Sequence, residues 1–161
     1  VVVAALDRPR HQGLIDEIRS AGAGTRLILD GDVAGGINAA LDGTRIDMCL
    51  GIGGCPEGVA TAAAIKAIGG FIQGRLAPLD AEERARGEAA GLRMDHIYEA
   101  DELVRGDNSI FVVTGVTDGS LVRGVERVGG VVHTESLILR AKSGTIRRIQ
   151  ATHLASKWLE D

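Results

Sequence analysis

The segment with the most evident capacity for chemistry is rich in glycine and reads Gly-Ile-Gly-Gly-Cys-Pro-Glu-Gly-Val at residues 51–59. It lies between an apolar run at residues 46–50, which predicts a buried strand, and a helix-forming run at residues 59–68. Glycines allow the backbone to approach a ligand closely, and Pro56 suits the first turn of a helix. Glu57 would then lie near the positive end of that helix, where a carboxylate is favoured. The segment predicts a phosphate or metal site, or else a capped helix that binds nothing.

Two other segments carry charged side chains at short spacing. Arg8 and Arg10 flank a proline, so two guanidinium groups on a stiff turn could clamp a phosphate, or could be two surface arginines. Residues 30–32 read Asp-Gly-Asp and place two carboxylates on a tight turn, which could bind sugar hydroxyls or help to hold a cation. Asp32 could equally cap the helix that follows it.

The remaining residues that could bind metals or act as nucleophiles give weaker signals. The four histidines lack the mutual spacing of a zinc site, and we expect each to be structural or exposed: His11, His96, His133 and His153. Cys49 and Cys55 are expected to be two small buried thiols rather than a disulfide or a metal clip. The glycine-rich segment matches neither the P-loop pattern nor a complete dinucleotide-binding pattern. Ser136 and Thr134 have no evident base, so no catalytic nucleophile is predicted.

The composition narrows the class of protein. Of the 161 residues, 45% are hydrophobic and only 2% aromatic, which is typical of one α/β domain with an aliphatic core. The net charge of −4 provides no overall attraction to nucleic acid or to anionic membranes. No apolar run reaches the roughly 20 residues of a membrane span and no leader is evident, so we expect a soluble cytoplasmic protein. Because the sequence opens with valine inside an aliphatic run, we expect it to be a segment of a longer protein.

The first part of the chain alternates between strand and helix patterns. Aliphatic runs predict strands at residues 1–6, 25–29 and 46–50, and a helical pattern follows each of them. This alternation predicts parallel strands with crossover helices. The Arg-Pro-Arg, Asp-Gly-Asp and glycine-rich segments each follow a strand. Parallel strands would therefore bring all three to one edge of the sheet, where α/β proteins bind ligands.

The second part of the chain predicts more strands than helices. Residues 71–76 are interpreted as an edge strand, residues 80–92 as a charged helix and residues 98–104 as a weaker helical piece. Four β-rich segments follow, at residues 110–116, 121–125, 131–139 and 145–150. We expect these strands to complete a layered mixed sheet with flanking helices, in a single domain that covers residues 1–161.

Taken together, the motifs resemble a known family in both order and spacing. They are Arg8-Pro9-Arg10-His11, Asp30-Gly31-Asp32-Val33-Ala34, Gly51-Ile52-Gly53-Gly54-Cys55-Pro56-Glu57-Gly58-Val59, Gln73-Gly74-Arg75-Leu76, Thr114-Gly115-Val116-Thr117 and Lys142-Ser143-Gly144-Thr145-Ile146-Arg147-Arg148-Ile149. This set resembles class II fructose-1,6-bisphosphatases of the bacterial GlpX type. The resemblance extends over essentially the whole chain but covers only the C-terminal half of such an enzyme.

The resemblance implies a fold, an activity and a cofactor. The fold would be the C-terminal portion of the lithium-sensitive, inositol-monophosphatase-like sugar phosphatase fold. The activity would be the metal-dependent hydrolysis of the 1-phosphate of fructose 1,6-bisphosphate in gluconeogenesis, with Mn²⁺ or Mg²⁺ as the cofactor. The partners would be the sugar bisphosphate, the missing N-terminal half of the same protein and further copies in a homo-oligomer. The isolated segment is expected to be inactive, because the remaining metal carboxylates of the family belong to the missing half.

The resemblance also implies roles for individual residues. Glu57 corresponds to a divalent-metal ligand. The positions that correspond to substrate contacts are Arg8, Arg10, Asp30, Gly31, Asp32 and Gly54. Position 8 departs from the lysine often found there, which keeps the charge but alters the hydrogen-bond geometry. Two alternatives stay open: a dual fructose-1,6- and sedoheptulose-1,7-bisphosphatase, and a non-catalytic module that binds sugar phosphates.

Overall fold

A computed structural model of the protein describes residues 1–158, and these residues form three β-sheets with helices packed on them. The helices are α1 (Gln12–Ser20), α2 (Asp32–Ala40), α3 (Cys55–Ile68), α4 (Ala81–Ala89), α5 (Ala100–Leu103) and α6 (Ala155–Trp158). The strands are β1 (Val2–Leu6), β2 (Gly24–Ile28), β3 (Met48–Cys49), β4 (Gln73–Arg75), β5 (Ile97–Glu99), β6 (Ile110–Thr114), β7 (Glu126–Val128), β8 (Val131–Arg140) and β9 (Thr145–Leu154). The proposal of a single domain over residues 1–161 stays a prediction.

The first sheet is parallel, as the alternating pattern predicts. Its order is β2-β1-β3, so β1 is the central strand, and Val3, Ala4 and Ala5 are buried there. Helix α1 packs beside β2, while α2 packs against β1 and β3. The run of aliphatic residues in β1 is explained by this position, because consecutive residues of a central strand point to opposite faces and here both faces are covered.

The third strand is shorter and more exposed than the sequence predicts. Only Met48 and Cys49 pair with β1, and Met48 is 46% exposed. The strand lies at the edge of the sheet, so it has a neighbour on one side only. Next to it, the Asp47 side chain rather than a backbone carbonyl accepts the hydrogen bond from the Val2 N–H, at 2.7 Å. The prediction of a buried strand at residues 46–50 is therefore wrong in length and in burial.

Small residues bring α2 and α3 together beneath the loops. A Cβ at Gly36 would lie 2.6 Å from Thr61 Cγ2, so only glycine fits where α2 crosses α3. Helix α3 then packs against α2, β6 and β8. The core that results contains Ile37, Ala64, Ala67, Leu121, Val122, Leu137 and Leu139. The two parts of the chain thus share one hydrophobic core.

The second sheet is a pair of short antiparallel strands, β4 and β5. The edge strand predicted at residues 71–76 is confirmed by β4. The helix predicted at residues 98–104 is wrong in its first half, because Ile97–Glu99 pairs with β4 as β5. Helix α5 begins only at Ala100, where Glu99 and Glu102 form a capping box that fixes the start of the helix.

The third sheet is antiparallel and separate from the first, so the predicted mixed sheet is not found among the described residues. Strand β8 is central, with β9 on one side and both β6 and β7 on the other. The strand predicted at residues 121–125 is also wrong. Leu121 and Val122 are buried in the core, but they belong to the loop between β6 and β7, so their apolar character reflects burial rather than strand pairing.

Within residues 1–158, none of the helices combines the length and the apolar character that crossing a bilayer requires.

Candidate functional site

The glycine-rich loop connects β3 to α3 and forms the floor of the candidate site. Gly54 is the N-cap of α3 with an extended backbone, and Cys55 and Pro56 are the first residues of the helix. The prediction that Pro56 lies in the first helical turn is confirmed, because the helix begins at Cys55 and continues through the helix-forming run at residues 59–68. Residues 51–54 are exposed and lie at the carboxyl end of the parallel sheet.

The loop after β1 reaches the glycine-rich loop through Arg10. This side chain donates from Nε and from Nη2 to the carbonyl oxygen of Ile52, at 3.1 and 3.0 Å. Two donors of one planar guanidinium on a single oxygen fix both the position and the plane of the group. Among the described residues, none accepts a hydrogen bond from its Nη1 group. Arg8 lies in the same loop and donates from Nη1 to the carbonyl oxygen of Asp7 at 3.1 Å.

The loop after β2 reaches the same floor through Asp32. Gly31 takes the left-handed conformation, with a φ of 81°, and is the N-cap of α2. Asp32 is therefore the first residue of the helix rather than its cap, and its Oδ1 accepts from the Val33 N–H at 2.9 Å. Its other oxygen, Oδ2, lies against Gly53, where a Cβ would be 2.7 Å away. Asp30 accepts from the Gly31 N–H at 2.8 Å.

Glu57 lies in the first turn of α3 and folds back over the loop. Its Oε2 packs against Gly54 in the space that a Cβ on that residue would occupy. The side chain is exposed to solvent. A carboxylate at this place is stabilised by the positive end of the helix and remains available to a cation that approaches from solvent.

Three loops that follow three parallel strands therefore meet on consecutive residues. Arg10 lies on Ile52, Asp32 on Gly53 and Glu57 on Gly54. A Cβ at position 53 or 54 would push one of these carboxylates aside, so glycine at both positions lets Asp32 and Glu57 lie against the loop. Arg8, Asp30 and Gly31 lie in the same loops as Arg10 and Asp32. The roles of these residues in binding stay predictions.

His11 contributes to the site in a way that the sequence pattern does not reveal. It was expected to be structural or exposed, and it is buried, with its ring between β1 and the glycine-rich loop. A Cβ at Gly51 would lie 3.2 Å from the imidazole Cε1, so the ring and the loop are in close contact. The signal that could have identified it is its position directly after Arg10, in the loop that follows a strand.

The two cysteines are free, as expected, but they are not both buried. Cys49 is half-buried and Cys55 is exposed, because Cys55 begins α3 at the rim of the site. The prediction of two buried thiols is therefore wrong for Cys55. Burial, with a smaller effect of the Asp32 charge, raises the pKa of the Cys49 thiol. This shift makes Cys49 a poor nucleophile.

The carboxylate of Glu57 is the type of ligand that a divalent cation prefers, but it cannot complete the coordination of such a cation by itself. Glu57 offers carboxylate oxygens, which Mg²⁺ and Mn²⁺ prefer. In residues 1–158, however, no group of three or more His, Cys, Asp and Glu side chains could hold a metal ion. A cavity of about 510 Å³ lies elsewhere, with Arg75, Pro78 and Arg84 in its lining and none of the predicted site residues. The candidate site is thus an open surface, and a metal ion bound by Glu57 would need ligands beyond those that the described residues provide there.

Comparisons with known proteins find similarity over almost the whole chain. The family model described as bacterial fructose-1,6-bisphosphatase, glpX-encoded, matches residues 1–153. The chain is 41% identical to the class 2 fructose-1,6-bisphosphatase of Haemophilus influenzae, over 95% of this chain and 50% of that protein. It is also similar to two proteins named D-fructose 1,6-bisphosphatase class 2/sedoheptulose 1,7-bisphosphatase. The Synechocystis protein is 41% identical, in a match that covers 96% of this chain and 48% of the Synechocystis protein. The Acaryochloris marina protein is 42% identical, in a match that covers 95% of this chain and 48% of the Acaryochloris protein. The chain spans about half the length of the curated relatives it matches.

Proposed function

Because this chain belongs to the bacterial, glpX-encoded fructose-1,6-bisphosphatase family, we propose that it supplies half of an enzyme that hydrolyses the 1-phosphate of fructose 1,6-bisphosphate. The products would be fructose 6-phosphate and inorganic phosphate. The other half would come from a longer chain of which this sequence is a part, called the full-length protein below. We propose that the full-length protein is a cytoplasmic homo-oligomer that acts in gluconeogenesis and has the inositol-monophosphatase-like fold.

The observation that carries the proposal is the meeting of Arg10, Asp32 and Glu57 on the glycine-rich loop. A sugar bisphosphate combines phosphate groups with several hydroxyl groups, so its recognition needs cationic donors and carboxylate acceptors side by side. The site offers both, and they lie on the exposed backbone of Gly53 and Gly54.

Each loop would make a different contact with the substrate. Arg8 and Arg10 would donate hydrogen bonds to a phosphate group, and the anchor on Ile52 holds the Arg10 guanidinium in place before the substrate arrives. Asp30 and Asp32 would accept hydrogen bonds from sugar hydroxyls. Gly31 and Gly54 would let the sugar approach the backbone. Positioning of this kind accounts for much of the catalysis in phosphoryl transfer.

Glu57 would hold a divalent cation, Mn²⁺ or Mg²⁺, together with ligands from the other half of the full-length protein. Such a cation, when bound, would neutralise charge on the phosphoryl group and activate a water molecule. The Glu57 carboxylate that would provide this ligand lies over Gly54, in the first turn of α3. Because this segment provides a single ligand of this kind, we expect it to have no phosphatase activity by itself.

The test is phosphate release from fructose 1,6-bisphosphate by the full-length protein, with Mn²⁺, with Mg²⁺ and with a chelator. We expect turnover with one of the metals and none with the chelator. Glu57→Gln should lower kcat by a factor of about 100 or more and raise the Mn²⁺ concentration required, since second-sphere changes alone cost 10 to 100 fold in metal sites. Glu88→Gln, on the exposed side of α4, is the matched control and should leave both unchanged. Full activity in Glu57→Gln would refute the metal assignment.

A second substrate is favoured by the names of two relatives, which include sedoheptulose 1,7-bisphosphatase activity. The site is open rather than enclosed, so it sets no limit on the length of the sugar. Competition between the two bisphosphates for the full-length protein decides between strict and dual specificity. If neither is hydrolysed but one binds, a non-catalytic module that binds sugar phosphates becomes the better description.

A further inference from the structure

His11 joins the end of β1 to the glycine-rich loop through both nitrogens of its ring. The side chain is 1% exposed. Nδ1 lies 3.0 Å from the carbonyl oxygen of Leu6, and Nε2 lies 2.9 Å from the backbone nitrogen of Ile52. Leu6 ends β1, while Ile52 lies in the floor of the site, so one buried ring connects the two.

The partners determine which nitrogen carries the proton. A carbonyl oxygen can only accept, so Nδ1 must donate to Leu6. At Nε2, the Ile52 N–H is nearer, at 2.9 Å, than the Ile52 carbonyl oxygen, at 3.2 Å, and that oxygen already accepts twice from Arg10. Because the N–H can only donate, Nε2 accepts from it and carries no proton. The neutral ring with its proton on Nδ1 satisfies both partners at once. Any other protonation state would leave one of these polar groups without its partner.

The consequence is that Ile52 is fixed on both sides by adjacent residues of another loop. His11 accepts from its N–H, and Arg10 donates twice to its carbonyl oxygen. Gly53 and Gly54 follow directly, and these are the residues against which Asp32 and Glu57 pack. Movement at Ile52 would therefore shift the anchor of Arg10 and the surface under both carboxylates together.

We propose that His11 is a positioning residue: by accepting the Ile52 N–H, it holds the glycine-rich loop in the shape that aligns Arg10, Asp32 and Glu57 for a sugar bisphosphate and its metal. The proposal rests on the function proposed above. It assigns His11 no contact with the substrate, since the ring is buried beneath the loop.

The first measurement is hydrogen exchange across residues 48–56 of the full-length protein, which does not depend on activity. His11→Phe keeps a ring of similar size but cannot accept a hydrogen bond. We expect exchange at Ile52 to become at least about fivefold faster, as the loss of one hydrogen bond requires. His133→Phe is the matched control, because His133 lies on β8 and bonds to Thr152 in the third sheet. It should leave this segment unchanged.

Two polar variants keep the test decisive if His11→Phe fails to fold. A glutamine at position 11 can place an acceptor where Nε2 lies, whereas an asparagine reaches only the position of Nδ1. We expect His11→Gln to keep slow exchange at Ile52 and a KM for fructose 1,6-bisphosphate close to that of the wild type. His11→Asn should show faster exchange, and its KM should rise about tenfold with a smaller change in kcat.

Equal exchange at Ile52 in the two variants would overturn the proposal. Absence of hydrolysis by the wild type would instead overturn the proposed function, and the exchange data would still decide whether His11 fixes the loop.

Discussion

Asp32 Oδ2 packs against the backbone of Gly53, where a Cβ would be 2.7 Å away. Real Cβ atoms essentially never come so close to another atom, so any other residue at position 53 would have to push the Asp32 carboxylate out of this place. The contact joins the Asp-Gly-Asp segment to the glycine-rich segment.

Gly53→Ala should therefore damage binding more than folding. The added methyl group must push the Asp32 carboxylate aside, and the end of a flexible side chain can move at little cost in stability. We expect the KM of the full-length protein for fructose 1,6-bisphosphate to rise about tenfold, while the free energy of unfolding changes by less than about 1 kcal/mol. Gly13→Ala is the control, because a Cβ there meets nothing within 4 Å. An unchanged KM in Gly53→Ala would remove Asp32 from the substrate site.

Gly36→Ala should have the opposite profile. Its Cβ would lie 2.6 Å from Cγ2 of the buried Thr61, whose β-branched side chain cannot rotate away freely. We expect a loss of about 1 to 3 kcal/mol in the free energy of unfolding, measured by urea denaturation. Thr61→Ser removes that methyl group and keeps the hydroxyl that donates to the Glu57 carbonyl oxygen. The double variant should therefore recover most of the loss, and no recovery would show that the contact between α2 and α3 is not the cause.

The part of the fold that the sequence predicts well is the part in which local pattern and tertiary position agree. Val3, Ala4 and Ala5 form a continuous aliphatic run because β1 is central and covered on both sides. Together with the alternation of strand and helix patterns, this run predicts that the strands are parallel and that the three loops lie at one edge of the sheet. In the third sheet, the strand predicted at residues 121–125 is wrong for a different reason. Leu121 and Val122 lie in a buried loop, and burial there requires the same apolar residues as a strand.

His11 illustrates what a linear pattern cannot predict at the site. Its burial depends on Ile52, 41 residues further along the chain, and a histidine has the same local signal whether or not that partner is present. The same limit applies to Asp32, for which capping and ligand binding predict the same residue at the same position. Only the packing of Oδ2 against Gly53 shows that this carboxylate faces the glycine-rich loop.

Arg8 and Arg10 should respond differently to the same change. Arg10 donates from two nitrogens to Ile52, and the single ammonium of a lysine cannot reproduce that planar pair of bonds. Arg8 makes one contact, with the neighbouring Asp7 carbonyl oxygen, and lysine is the residue often found at this position in the family that the sequence resembles. We expect Arg10→Lys to raise the KM for fructose 1,6-bisphosphate about tenfold or more, and Arg8→Lys to change it less than about threefold. Equal effects would mean that the anchor on Ile52 does not matter for binding.

Glu135 should make the stability of the fold depend on pH. Its Oε2 accepts from the Arg123 N–H at 2.7 Å, and this bond holds the pKa of the carboxyl below its ordinary value. Partial burial opposes the shift, while a hydrogen bond from Gln150 and the charge of Arg148 support it. Because the pKa is lower in the folded state than in the unfolded state, the stabilisation is present above the unfolded pKa, about 4.3 for glutamate, and is lost as pH falls through the folded pKa.

The variant Glu135→Gln tests this dependence, because it keeps an oxygen for the Arg123 N–H but has no charge to lose. Urea denaturation at pH 7 should find the variant less stable than the wild type, and the difference should shrink steadily as the pH is lowered below about 4.3. Glu126→Gln, at an exposed position on β7, should show no such convergence. A difference that stays constant down to pH 3 would mean that Glu135 stabilises the loop between β6 and β7 by packing alone.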